Sequence, residues 1–211
     1  MKIQSKFFKG ILVSTVCLLF SANIHAQNWD VNLLKKINPV NPHSGFWEGM
    51  STSVYPVAAA LPVGLLTKGF INNDKALQQK GWQALGAVAI NVAITQALKA
   101  AVNRERPFLK YDFIYTDDET AKSGSFPSGH TSLAFATATT LTLEFKKWYV
   151  AVPAYTWAAA VGYSRMYLGQ HYPSDIIGGA VVGAGSAYLS YWLNKKIFKK
   201  NNSATHTALL P

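Results

Sequence analysis

Past residue 26 the chain alternates between tracts without a single Asp, Glu, Lys or Arg and shorter tracts in which charge is gathered. The charge-free tracts cover residues 49–67, 81–98, 131–143, 148–164 and 176–194. Roughly 20 apolar residues carry a helix across a bilayer, where a helix satisfies its own backbone polar groups. The pattern therefore predicts an all-α, integral-membrane bundle with about five spanning helices. Tract 131–143 is short and rich in Thr and Ser, Ala and Gly fill much of the others, and the mean hydropathy is only +0.09, so a soluble helical bundle is the competing reading. Small residues also suit close helix packing in lipid, and Gly179 and Gly183 stand at the four-residue spacing that such packing uses.

The first 26 residues read as a secretory signal segment. Lys2, Lys6 and Lys9 make a basic start, residues 10–22 are mostly apolar, and Ala26 precedes polar Gln27. Ile24 is bulkier than the small residue usual three positions before a cut, which leaves retention as an anchor as the alternative. The single cysteine, Cys17, falls inside this segment, so a chain cut after Ala26 has no disulfide and no cysteine metal site. Residues 27–50, with "WDVNLLKKI" and "GFWEGM", read as an amphipathic lead-in on the outer membrane surface. Residues 51–194 form the helical domain, and 195–211 read as a basic, then disordered, cytoplasmic tail.

Charge narrows the picture. Lys plus Arg outnumber Asp plus Glu by 20 to 10, a balance that suits nucleic acid, a membrane surface or an anionic substrate. With the start of the mature chain outside, the loops on the inner face carry Lys68, Lys75, Lys80, Lys146, Lys147, Lys195, Lys196, Lys199 and Lys200, the positive-inside distribution. Nucleic acid is then a poor partner, because the surplus lysines do not form one continuous groove. Trp82, Trp148 and Trp192 sit near tract ends, where indole rings favour the interface. Segments 99–130 and 164–175 share the outer face.

Those outer segments hold the chemistry. In "KAAVNRERP", Lys99 and Arg106 stand seven residues apart, about two helical turns, on one face. In "SGSFPSGHTS", Ser128, Gly129 and His130 immediately precede a helical tract. In "SRMYLGQHYPSD", Arg165, His171 and Asp175 lie within twelve residues. Each has a plain structural explanation taken singly: snorkelling cations, a helix cap, an interfacial histidine. Together they form a site for a phosphate ester. Three cations suit a dianionic phosphoryl group, the guanidinium forks can bind its oxygens bidentately, and a helix starting at Ser128 and Gly129 would aim free N–H groups at the same anion. His171, with Asp175 four residues on in the first turn of a helix begun by Pro173, is the candidate nucleophile; the carboxylate would fix its tautomer. His130, at a helix N-terminus and without a carboxylate near in sequence, is left as the general acid. The cations neutralise transition-state oxygens, so the reading calls for no metal and no cofactor.

The chain here resembles the type 2 phosphatidic acid phosphatase superfamily. Lys99 to Pro107 fit K-x6-R-P, residues 127–130 read PSGH, and 164–175 fit S-R-x5-H-x3-D, three parts in the expected order across roughly residues 50–194. The resemblance implies that Lys99, Arg106 and Arg165 bind phosphate, that Ser128 and Gly129 contact its oxygens, that His130 is the acid, and that His171 carries a phosphohistidine oriented by Asp175. The family includes membrane lipid phosphatases, soluble periplasmic acid phosphatases and vanadium haloperoxidases. "YLGQHYPSDIIGG" looks like the membrane branch, similar to bacterial undecaprenyl pyrophosphate and phosphatidylglycerol phosphate phosphatases. The expected partners are thus the membrane and a lipid phosphate, met at the periplasmic face of the bacterial inner membrane. Undecaprenyl pyrophosphate, phosphatidylglycerol phosphate, phosphatidic acid and a lipid A phosphate all qualify. A non-catalytic membrane protein binding anionic lipid through its basic loops is the rival of another class, and it leaves His130, His171 and Asp175 without a purpose. Asp117, Asp118 and Glu119 border the entrance and read as solvated acids; His43 reads as a loop residue.

Overall fold

The computed structural model describes residues 23–121 and 123–207. Residues 1–22, which hold most of the expected signal segment and Cys17, lie outside the described residues. The elements are all helices: α1 Asn23–Ile37, α2 Gly45–Thr52, α3 Val54–Ile71, α4 Lys75–Val102, the single turn α5 Pro107–Lys110, α6 Gly129–Phe145, α7 Trp148–Tyr167 and α8 Pro173–Thr207. Each begins and ends where local chemistry dictates. The Asp74 side chain accepts from the N–H groups of Ala76 and Leu77 to open α4, and Asn103 closes it in the left-handed region. Ser128 caps α6, and Pro173 opens α8 with Asp175 in its first turn.

Helix α6 is the centre of the bundle, packed against α3, α4, α7 and α8. Its contact with α8 is close because Gly179 and Gly183 present bare backbone: a Cβ at Gly179 would sit 2.7 Å from the Ser128 carbonyl oxygen, and one at Gly183 2.8 Å from the Ala136 nitrogen. The centrality of α6 explains its composition. Thr137, Thr140 and Thr142 hydroxyls donate to the carbonyls of Leu133, Ala136 and Ala138 four residues back. A helix walled in by neighbours that meets its own polar needs has no requirement for an apolar surface.

Among the described residues, three stretches are long and apolar enough to cross a membrane: Gly45–Ile71, Lys75–Lys110 and Pro173–Ile197. All five charge-free tracts are helical, but α6 and α7 do not reach that length and apolarity together; α6 has 17 residues. Residues 195–207 continue α8 as helix, since no Gly or Pro interrupts "NKKIFKKNNSATHT". Helix α1 docks on α7 and α8, burying Leu34 and Asp30.

The bundle has two chemically different ends. Lys80 pairs with Glu144 at 3.7 Å, and Gln79 donates to Asn194, bringing the basic loops after α3 and α6 and the basic stretch of α8 to one end. The opposite end collects the C-termini of α4 and α7 and the N-termini of α6 and α8, covered by α1, α2 and residues 111–121.

Candidate active site

Lys99, Arg106, Ser128, Gly129, His130, Arg165, His171 and Asp175 all meet at this covered end. Helix α4 delivers Lys99 from its last turn, and the extended residues after Asn103 turn Arg106 back toward it. Lys99 Nζ donates to the Gly124 carbonyl. Arg106 donates through Nε to the Ser123 carbonyl at 3.1 Å, and through Nη1 to the Gln170 side-chain and backbone oxygens at 3.1 and 3.2 Å. Its Nη1 lies 3.5 Å from His171 Nε2. Arg165, in the last turn of α7, donates through Nη1 to Ser51 Oγ at 2.8 Å, while its Nε has no partner among the described residues. All three cations are buried, and none is paired with a carboxylate among the described residues.

The start of α6 points at the same place. Ser128 is fully buried; its N–H donates to the Asp175 backbone carbonyl at 3.0 Å, and its hydroxyl accepts from Thr131 Oγ1 at 2.9 Å. This locks the first turn of α6 to the first turn of α8. A Cβ on Gly129 would meet Lys99 Cε and Thr95 Cγ2 at 3.9 Å, ordinary contacts, so packing does not require glycine there. His130 sits edge-on to Tyr55 at 5.1 Å. Burial pushes its pKa down to about 3, with Arg165, His171, Arg106 and Lys99 pushing the same way.

His171 occupies the irregular link between α7 and α8, where its backbone N–H donates to the Arg165 carbonyl. Gly169, at φ +69°, makes the turn; any Cβ there would collide with the Tyr115 carbonyl. His171 Nδ1 lies 3.4 Å from Asp175 Oδ2 and has no closer polar partner among the described residues, a carboxylate facing a ring nitrogen at slightly more than hydrogen-bond range. Burial lowers the His171 pKa to about 4 despite the opposing pull of Asp175, helped by Arg165 and Arg106. Both imidazoles are therefore neutral at pH 7 in the free protein.

Several residues at this site carry no motif signal. Gln170 accepts from Arg106 and donates through Nε2 to Thr116 Oγ1 and the Asp118 carbonyl, tying the loop around residues 116–118 to the cationic end. Asp118 is not merely solvated: hydrogen bonds from Thr120, then the fields of Arg165 and Arg106, hold its carboxyl below the ordinary 3.8. Asp117 accepts from His43 Nδ1 at 3.1 Å, so His43 clasps the entrance loop. Arg104 is the residue that spacing alone passes over, since it lies inside the six free positions between Lys99 and Arg106. Its Nη1 donates to Asp175 Oδ1 at 2.8 Å and to Ser174 Oγ at 2.7 Å, and its Nη2 to Asp30 Oδ2 at 2.9 Å.

Comparison with known proteins meets this geometry. The PAP2 superfamily model matches residues 80–199. The lipid A 1-phosphatase of Porphyromonas gingivalis is 34% identical over 125 residues, 58% of this chain and 26% of that protein. The lipid A 4'-phosphatase of Bacteroides thetaiotaomicron is 26% identical over 207 residues, 92% of this chain and 82% of that one. The undecaprenyl-diphosphatase of Bacillus subtilis is 24% identical over 163 residues, 75% and 81% of the two. The chain thus spans about a quarter of the first relative and about four-fifths of the other two. Among solved structures, the transmembrane PAP2-type phosphatidylglycerolphosphate phosphatase of Bacillus subtilis superposes with a TM-score of 0.64 over 90% of this chain and 98% of that one, at 23% identity. Aquifex aeolicus LpxE superposes with a TM-score of 0.62 over 77% and 94%, at 24% identity. Both share the fold. The family model spans every residue that builds the cationic pocket, from Lys99 to Asp175, and the chain belongs to the PAP2 superfamily.

Proposed function

We propose that this protein removes phosphate from a lipid phosphate or lipid pyrophosphate at the outer face of the bacterial inner membrane, through a phosphohistidine on His171. The observation that carries the reading is the set of three buried cations without carboxylate partners among the described residues, gathered around two neutral histidines. Burying uncompensated charge is costly, and a dianionic phosphoryl group relieves the cost for all three at once. Arg106 and Arg165 would clamp two phosphoryl oxygens and Lys99 a third, with the N–H groups of Gly129 and the first turn of α6 closing the cradle.

In the first step His171 Nε2 attacks phosphorus and the bond to the lipid oxygen breaks. His130 hands its proton to that oxygen, and Asp175 stabilises the positive imidazole. In the second step water attacks the phosphohistidine, His130 takes the water proton, and the P–N bond breaks to release inorganic phosphate. His130 is neutral in the free protein because burial disfavours its charged form and the neighbouring cations add to that effect by repelling its proton. A bound dianion cancels that repulsion, so substrate itself supports the protonated acid that the first step needs.

Helices α3, α4 and α8 hold the site at one end of the membrane, with α6 and α7 completing five spans inside the bundle. The lysine-rich end faces the cytoplasm, so the pocket faces the periplasm. The tail of the lipid would stay in the bilayer while its headgroup enters the pocket. The names of the relatives favour a lipid A phosphate or undecaprenyl pyrophosphate as the substrate class. The test is phosphate release in detergent, with a chelator present, from lipid A, undecaprenyl pyrophosphate, phosphatidic acid, phosphatidylglycerol phosphate and one soluble ester, using wild type and His171→Ala. Loss of about a hundredfold or more in the variant supports the reading. Equal rates, or activity abolished by the chelator, contradict it.

A further inference from the structure

We propose that Asp30, on the N-terminal helix α1, and Arg104 are positioning residues for the His171–Asp175 pair, making α1 a working part of the site rather than a lead-in. The inference rests on the phosphohistidine reading above. Asp30 is almost fully buried, 1% exposed, and lies outside the family-matched residues 80–199. One of its oxygens accepts from the Ser174 N–H at 2.9 Å, the other from the Ser174 hydroxyl and from Arg104 Nη2. Asp30 therefore caps the start of α8 from a different helix, filling the role that a local N-cap side chain would normally fill.

The guanidinium between Asp30 and Asp175 decides how Asp175 is aimed. Arg104 holds Asp175 Oδ1, the Tyr172 N–H holds Oδ2 at 3.0 Å, and only after both does Oδ2 face His171. Arg104 is itself held over the Tyr172 ring, its Cζ 3.8 Å from the centroid. A lysine in its place could reach one carboxylate but not fork to both. Asp30 thus shares the Arg104 charge, leaving Asp175 free to serve the histidine instead of collapsing wholly onto the guanidinium. The sequence separation of 144 residues between Asp30 and Ser174 explains why no motif spacing contains this contact.

The two residues carry opposite charges near one histidine, which yields a signature that a purely structural role lacks. The groups facing His171 are Arg106 from the segment after α4, Arg165 from α7, His130 from α6 and Asp175 from α8. Asp30→Asn removes a negative charge from behind this set and Arg104→Gln a positive one. The acid limb of kcat/KM, where His171 becomes protonated, moves to lower pH in the first variant and to higher pH in the second.

The experiment uses the full-length protein in detergent and the panel lipid that wild type hydrolyses fastest. It compares wild type, Asp30→Asn, Arg104→Gln, the double variant, Arg104→Lys and His171→Ala across pH, with size-exclusion profiles and melting curves as folding checks. The expected result is a fall in kcat of about ten- to a hundredfold in each single variant, as for other orienting partners of an active group, with KM within about threefold of wild type. The double variant is expected to be no worse than the poorer single, since both act through one path. Arg104→Lys, which keeps the charge over Tyr172, is expected to lose kcat nearly as fully as Arg104→Gln. Wild-type kcat in Asp30→Asn and Arg104→Lys, losses that multiply in the double variant, or acid limbs moving the same way would overturn the proposal. Should His171→Ala retain activity, the phosphohistidine reading fails instead, and the two failures are told apart.

Discussion

Gly129 separates the needs of packing from those of chemistry more cleanly than any other residue here. An added Cβ meets only ordinary contacts at 3.9 Å, and alanine is the better helix former. Gly129→Ala is therefore expected to keep or raise the melting temperature while lowering kcat/KM by about tenfold or more, because the methyl group stands where phosphate oxygens must approach the backbone; wild-type activity would place the anion elsewhere. The two histidines make a second residue-scale prediction. Their folded pKa values, about 4 and about 3, lie below the ordinary 6.5, so the unfolded chain binds more protons once the pH falls below about 6.5. Stability then falls with pH, by about 2 kcal/mol for each histidine at pH 5. Melting curves in detergent from pH 7.5 to 5 check this, and a melting temperature that stays flat or rises on acidification contradicts the burial of both rings in neutral form. The eight residues of the pocket were legible in the sequence because short motifs place each beside a helix end. Asp30, Arg104 and Gln170 were not, since a buried carboxylate on a distant helix leaves no local pattern.

At the scale of the elements, the charge-free tracts marked every long helix, yet hydropathy misjudged the role of α6. Its Thr and Ser residues read as a weak span, whereas the helix is the hub: the Thr137, Thr140 and Thr142 hydroxyls are satisfied within it, and Ser132 and Thr139 bond to the neighbouring α4 and α7. Gly179 and Gly183 were legible as a packing stripe, and the structure shows what they admit: the α6 backbone itself. Gly183→Leu is expected to force α8 off α6, with overpacking of about 1–3 kcal/mol or more. Because Ser128 and Asp175 are joined across the same seam, activity should fall with the melting temperature. A variant that kept both would show that the helices separate at little cost. The lead-in helix was read as a surface element because its amphipathic sequence suits an interface. Its inward Asp30 is a single residue among many polar ones, and only the fold reveals where it points.

For the whole molecule, the proposed topology puts the cationic pocket on one side of the membrane and the lysine-rich loops on the other. In a Cys17→Ser background, Glu119→Cys is expected to react with an impermeant maleimide in intact spheroplasts, and Lys196→Cys only after permeabilisation; the reverse pattern would invert the topology. The membrane reading also requires activity to sediment with membranes, as three long apolar helices demand. The central claim is covalent, and one measurement addresses it directly: rapid quenching of the enzyme during turnover of a lipid labelled at the transferred phosphate, followed by mapping of the modified peptide. The expected result is an acid-labile, base-stable phosphoryl group on His171, absent from His171→Ala and accumulating when His130 is replaced by Ala and the lipid carries a good leaving group. Turnover without a protein-bound phosphoryl group, or a label on any other residue, would contradict it.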